Sequence, residues 1–210
     1  MSSRLTYSYK DTYFSEFNLG YTGSEAFEKG HRFGLFPAIS GGWIPTQYKW
    51  VQKNMPWLEY FKLRASYGLV GNDRIGGTRF PYITTIVKGG DGWNGLYGSK
   101  KEGQVGTDGL VWEKAKKLDV GVDVHLFKGM IEFTLDYFKD NRTGIFQQRA
   151  TVPDEIGLES LPWANIGEME SHGMDGNITF SKNWNKDWRT TIRGNFTYSR
   201  NKVINWEQSG

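Results

Sequence analysis

The 210-residue chain carries 26 Lys and Arg against 23 Asp and Glu, a formal net charge of +3, and the two signs are interspersed, so nothing marks a nucleic-acid footprint. It has no cysteine, which excludes a disulfide scaffold, a thiolate metal centre and a cysteine nucleophile. Aromatic residues make up 16% of the chain, too many for a disordered tail, and no run approaches the ~18 consecutive apolar residues of a transmembrane helix.

Period-two alternation begins at once. Leu5, Tyr7 and Tyr9 alternate with Arg4, Thr6 and Ser8 inside Met1–Lys10, where a signal peptide would need a continuous apolar core. Either the protein is cytosolic or this chain lacks its natural start. Phe17, Leu19 and Tyr21 form a second alternating run. Phe33, Leu35, Ile39 and Trp43 form a third, softened by Phe36 and Ala38. A short helix is predicted around Gln47 to Lys53. Phe61, Leu63, Ala65, Tyr67 and Leu69 then alternate with Lys62, Arg64, Ser66 and Gly68. The fifth run places Leu118, Val120, Val122, Val124 and Leu126 against Asp119, Gly121, Asp123 and His125. Beyond Lys128-Gly129-Met130 the sixth sets Ile131, Phe133, Leu135 and Tyr137 against Glu132, Thr134 and Asp136. Met174, Ile178 and Phe180 mark a seventh; Trp188, Ile192, Phe196 and Tyr198 mark an eighth. Alternate side chains of a strand point to opposite faces, so each run has one apolar and one polar face.

Long and short connections alternate. Ser24–Arg32, Gly71–Gly109 and Thr143–Gly167 are long, whereas Lys10–Thr12, Lys128–Met130 and Asn183–Asp187 are short, with Ile44–Tyr60 swollen. In an up-and-down meander this gathers the large loops at one end and the turns at the other, as in outer-membrane barrels. The polar faces carry Arg64, Asp119, Asp123, Glu132, Asp136, Arg189 and Arg193, which need water or partners. Rings at strand ends, among them Tyr9, Tyr13, Trp43, Phe127, Trp184 and Trp188, match the aromatic girdles of a bilayer and equally match ordinary strand preference. The residues alone leave two readings: a membrane barrel with apolar residues outward, or a soluble all-β ligand-binding module in which they form a dry core. In the first, Val120, Val122, Val124, Phe133 and Leu135 face outward and Asp119, Asp123, Glu132 and Asp136 face the lumen.

Four ordered segments, Tyr21 to Trp43, Leu63 to Asn72, Leu110 to Gly121 and Asn165 to Gly173, resemble the SusC/RagA family of TonB-dependent outer-membrane receptors of Bacteroidetes. Tyr21-Thr22-Gly23-Ser24 through Gly34-Leu35-Phe36-Pro37-Ala38-Ile39-Ser40-Gly41-Gly42-Trp43 is similar to "YDGSSRF…GFFPSVSAGW". Leu63-Arg64-Ala65-Ser66-Tyr67-Gly68 with Gly71-Asn72 is similar to "KLRASYGxxGN". Leu110-Val111-Trp112-Glu113 through Asp119-Val120-Gly121 resembles "LxWExxxxxNxGxD", with Asp119 in place of Asn, and runs on into Asp136-Tyr137-Phe138 where the family has "DYY". Asn165-Ile166-Gly167 through Gly173 resembles "NxGxxxNxGxE", with Ser171 and Asp175 replacing the second Asn and the Glu. The resemblance runs from about Arg4 to Asn205. It implies an all-β, antiparallel up-and-down transmembrane β-barrel segment, about eight strands of a larger barrel. Residues 1–210 would be a partial barrel domain that lacks the plug and the closing strands. It further implies TonB-coupled import of a nutrient, an oligosaccharide or a peptide, across the cell outer membrane. A SusD-like surface lipoprotein, the TonB complex and outer-membrane lipid would be its partners, with no cofactor and no covalent chemistry. Eight strands alone close only a narrow, filled barrel, which the long loops and charged inner face do not suit.

Little else in the sequence points to chemistry. His31, His125 and His172 lack metal-ligand spacing, and Ser66, His125 and Asp123 lack a nucleophile elbow. Asp91, Asn94 and Asp108 offer oxygen ligands for Ca²⁺, as any solvated loop does. Trp93 and Tyr97 in the long glycine-rich loop and Trp163 after Pro162 are the candidate ligand-binding residues, because rings stack on sugar faces. The same rings serve equally to pack loops or to meet a partner protein.

Overall fold

The computed structural model describes residues 1–75, 79–91, 98–153, 156–158 and 160–208. Each alternating run forms a strand: β1 (Ser2–Tyr9), β2 (Tyr13–Gly23), β3 (Phe33–Trp43) and β4 (Leu58–Asn72). A hairpin of β5 (Ile86–Asp91) and β6 (Gly98–Glu102) follows. Then come β7 (Glu113–Leu126), β8 (Ile131–Gln148), β9 (Trp163–Asn183) and β10 (Arg189–Asn205). Eight of these build one antiparallel sheet in the order β1-β2-β3-β4-β7-β8-β9-β10, and the β5–β6 hairpin stands apart within the β4–β7 connection. The predicted short helix is present as α1 (Lys49–Asn54), entered through a 3-10 turn at Pro45–Gln47.

The register keeps the two faces separate across the whole sheet. Val122 stands opposite Leu63 on β4 and Leu135 on β8; Val124 stands opposite Phe61 and Phe133; Phe133 in turn meets Ile178 on β9. Phe17 lies between Leu5 and Ile39 on the same face. Arg64, Asp123 and Asp136 share the opposite face, joined by ion pairs. The expected division of apolar and carboxylate side chains is therefore present. Among the described residues no second sheet covers the apolar face: Leu5 is 70% exposed, Ile39 57%, Ile178 50% and Ile192 62%. The dry core that a soluble sandwich requires is not formed. A buried apolar cluster forms instead at the end bearing the long loops, and Ile44 and Val51 are buried separately at the turn end.

The two ends differ as the connections dictate. Hairpin turns with left-handed backbone at Lys10 and Asp11 (φ 52° and 49°) and at Phe127 and Lys128 (φ 55° and 59°) close β1–β2 and β7–β8. This end carries exposed rings, including Tyr9, Trp43, Trp50, Trp57, Trp184 and Trp188. Two extents depart from the pattern in the sequence. β8 continues to Gln148 rather than stopping near Tyr137, and β9 starts at Trp163 rather than near Met174. Past Tyr137 the outward positions become Lys139 and Asn141 and the inward ones Asp140 and Arg142, so the hydrophobic period vanishes while the hydrogen-bonded ladder continues.

An uncovered apolar face and edge strands β1 and β10 have a direct consequence. Expressed by itself, the 210-residue chain should aggregate or require detergent, as size-exclusion chromatography will report. A monodisperse, detergent-free monomer with a sharp thermal transition would contradict this arrangement of faces.

Candidate functional site at the loop-bearing end

Three connections meet above the sheet through the described residues of 24–32, 73–112 and 149–162. Phe27 from the first is completely buried against Trp112 at the close of the second, with ring centroids 5.2 Å apart, and against Phe146 on β8, at 6.1 Å. Ile75 and Leu110 complete the buried cluster, and Phe36 and Trp163 pack on its edge. Phe36 meets Trp112 edge-on at 5.2 Å. It lies over Gly34 and Gly71, where any Cβ would occupy the space of its ring. That explains why Phe36 interrupts the alternation of β3: its ring belongs to the loop cluster. Rings packed edge-on or tilted gain beyond simple burial, so the cluster holds the loop bases in one arrangement.

Polar contacts finish the joint. The Trp112 indole N–H donates to the Arg32 carbonyl at 3.2 Å, and Arg32 Nε donates to the Phe27 carbonyl at 3.1 Å. The Asn165 amide accepts from Val111 N–H at 3.0 Å and donates to the Val111 and Gly144 carbonyls at 2.8 Å each. One side chain thus replaces a piece of ladder between the returning loop and β8–β9, beside a bulge where Gly144 takes a φ of 67° that disfavours a Cβ. Asn72 at the end of β4 donates to Glu113 at the start of β7, at 3.0 Å.

Below the loops, the polar face is held by one charge cluster. Arg64 donates to Asp123 at 3.1 Å and to Asp136 at 2.8 Å, spanning β4, β7 and β8. Gly121 stands between them, and a Cβ there would collide with both the Arg64 guanidinium and the Asp136 carboxylate. Lys117 and Arg142 converge on Asp140 higher on the same face, at 3.1 and 3.3 Å. A trough of about 450 Å³ runs along this face past Glu16, Ser40, Lys62, Arg64, Ser66 and Asp119.

The residues singled out from sequence fare unequally. Trp163 sits at the first position of β9, half-buried, with part of its surface on the loop cluster and part lining a cleft of about 490 Å³ beside Asp108, Arg149 and Pro162. Trp93, Tyr97 and Asn94 lie outside the described residues, as does the side chain of Asp91. Of Ser66, His125 and Asp123, the aspartate is engaged by Arg64 and the His125 ring lies 5.0 Å from that of Tyr60. Among the described residues no three His, Asp or Glu side chains are placed to hold a metal ion. Sequence reading missed Phe27, Ile75 and Phe146, which have no periodic context, and the role of Asn165, whose only signal was its place in a motif.

Comparison with known proteins agrees with this geometry. The family model described as TonB dependent receptor-like, beta-barrel matches residues 4–209, and the chain belongs to that family. It is similar to TonB-dependent receptor P39 of Formosa agariphila, 30% identical over 202 residues covering 96% of this chain and 19% of that protein. It is also similar to TonB-dependent receptor SusC of Bacteroides thetaiotaomicron, 27% identical over 95% of this chain and 20% of that protein. In three dimensions it superposes on the RagAB peptide transporter with a TM-score of 0.85, at 22% identity, over 97% of this chain and 22% of that one. The chain thus spans about a fifth of the length of these relatives.

Two substitutions test the joints. Asn165→Ala removes three hydrogen bonds and should cost about 1–3 kcal/mol, read as a lower urea midpoint of the detergent-solubilised receptor and faster proteolysis within residues 73–112. Arg64→Ala leaves Asp123 and Asp136 without their shared cation. Because Arg64 retains water contact the cost should be only about 1–2 kcal/mol. A double-mutant cycle with Asp136→Asn should show coupling, whereas strictly additive effects would mean that the ion pair contributes nothing.

Proposed function

We propose that this chain is one sector of the wall of an outer-membrane, TonB-coupled importer of the SusC/RagA kind, with its apolar face on lipid and its charged face toward the lumen. Residues 1–210 would form part of the barrel domain, the plug and closing strands belonging to other parts of the receptor. The observation that carries this reading is the separation of an apolar from a charged face over eight strands, with the connections 24–32, 73–112 and 149–162 at one end and, at the other, tight turns and the α1-bearing connection 44–57. A charged face is tolerated only beside water, and an uncovered apolar face only beside lipid.

The loop-bearing end would face outward and receive a SusD-like lipoprotein lid. Substrate, an oligosaccharide or a peptide, would be captured there and moved past the Arg64 wall without covalent chemistry. The name of one structural match, the RagAB peptide transporter, supports the peptide class. Trp163, with Trp93 and Tyr97, would supply stacking surface: the cleft beside Trp163 combines an indole face with Asp108 and Arg149, suited to hydroxyl or peptide groups. The buried cluster beneath would keep the loop bases fixed while the tips engage ligand.

Two measurements test the proposal in the complete receptor expressed in its host. Val122→Arg should cost about 2–4 kcal/mol of barrel stability if Val122 faces the bilayer midplane, whereas Asn177→Arg on the opposite face should assemble normally. Equal assembly of both, judged by heat-modifiable gel migration, would refute the assignment of faces. For the ligand role, Trp93→Ala and Trp163→Ala should each lower affinity for labelled oligosaccharide or peptide by about 1 kcal/mol with assembly intact. Unchanged affinity in both would leave these rings as packing or partner contacts.

A further inference from the structure

The apolar face ends abruptly on β7–β10 toward the loop-bearing end. Val120, Tyr137, Met174 and Tyr198 stand in register as its last row. The next row outward on the same face reads Leu118, Lys139, His172 and Arg200, directly opposite one another on consecutive strands. The row after that reads Lys116, Asn141, Glu170 and Lys202. The row beyond reads Lys114, Thr143 and Glu168. With neighbouring strands about 4.8 Å apart, Lys139 and Arg200 lie within roughly 10 Å. Glu170 is the sole acid in the two rows, drawn to Lys139 at 3.1 Å and to His172 at 3.8 Å. Among the described residues Arg200, Lys116 and Lys202 have no carboxylate partner. The Arg200 guanidinium lies 5.7 Å from the centre of the Tyr198 ring beneath it.

The opposite sector of the same rim lacks this feature. On β2 and β3 the outward face ends in Tyr21 and Phe33, stacked at 5.3 Å, and the residues opposite them are Leu35 and Gly23 rather than Lys or Arg. The basic rows are therefore not a general trait of the upper edge. They form one patch, continuous with the apolar band beneath it, in which Lys116, Lys139, Arg200 and Lys202 share one face with Glu170 as their single carboxylate, an excess of positive charge that suits an anion.

We propose that the basic rows of β7–β10 bind the phosphate headgroup of an anionic membrane lipid in the leaflet nearest the long loops. The acyl chains would lie along the Val120–Tyr137–Met174–Tyr198 surface, and the phosphate would bridge Lys139 and Arg200, with Lys116 and Lys202 behind. Charge complementarity selects the headgroup, and continuity with the apolar face selects a lipid over a soluble anion. This inference rests on the membrane reading above.

The test uses the complete receptor purified in neutral detergent, with phosphatidic acid as probe, phosphatidylcholine of the same acyl chains as control, and inorganic phosphate as the lipid-free anion. Phosphatidic acid should remain bound in native mass spectra and raise the thermal midpoint, and the other two should do neither. Each lost lysine or arginine should weaken phosphatidic acid binding roughly fivefold. The triple variant Lys139→Gln, His172→Gln, Arg200→Gln should abolish the midpoint shift, and Lys182→Gln near the turn end should leave it unchanged. Arg200→Gln alone provides the same readout should the triple variant fail to fold. Undiminished phosphatidic acid binding in Arg200→Gln, equal binding of phosphatidylcholine, or equal protection by inorganic phosphate would each overturn the proposal. Failure of the wild-type receptor to insert into bilayers would instead overturn the membrane reading beneath it.

Discussion

Strand register is the constraint on which everything else depends. A slip of one residue between any two neighbours would carry the apolar side chains of one strand to the charged face and bring its charges among Val122, Leu135 and Ile178. Backbone hydrogen bonds alone do not choose between registers, because a shifted ladder has nearly the same bonds. The choice is made by side chains that work in only one alignment. Arg64 reaches Asp123 and Asp136 together only when β4, β7 and β8 are in step, with Gly121 leaving room between them. Asn72 meets Glu113 at the end of the same β4–β7 pair, and Asn165 pins Val111 to the β8–β9 bulge.

That view gives the family motifs a physical content. The Arg of Leu63-Arg64-Ala65, the Asp of Asp136-Tyr137 and the Gly of Val120-Gly121 are separate in sequence and a single cluster in space. The Trp and Glu of Trp112-Glu113 face different tasks, one in the loop cluster and one against Asn72. Departures from the family pattern fall beside these contacts. Asp119 places a carboxylate where the pattern has an amide, on the face shared by Arg64 and Asp136, and it lines the polar trough.

How much was legible before the structure follows from which forces leave a periodic trace. The eight strands, their faces and the end at which each loop lies were readable, because burial against lipid or water repeats every two residues. The outer reaches of β8 and β9 were not, since Lys139–Arg142 is polar on both faces and Met169 is the one apolar residue of Glu168–Ser171. The β5–β6 hairpin lay hidden in a glycine-rich loop, with Ile86 and Val87 its only strand-forming cue. Phe27 and Ile75 are single apolar residues in polar loops, and only the fold reveals that they meet. Of the ligand-binding candidates, Trp163 turned out to divide its surface between packing and an open cleft.

The order of strands also has a kinetic meaning. Every pairing in the main sheet but one joins strands that follow each other in the chain. The exception is β4 with β7, whose ends at Asn72 and Glu113 are 41 residues apart. Low contact order favours rapid pairing, so β1–β4 and β7–β10 are two cassettes that can each zip hairpin by hairpin before they join. Replacing a four-residue turn by a connection ten times longer adds only ~2 kcal/mol of closure entropy. Because that entropy grows with the logarithm of length, further insertions at this joint cost little, and the β4–β7 connection is where the loop-bearing end has most freedom to diversify while the sheet below keeps its alignment.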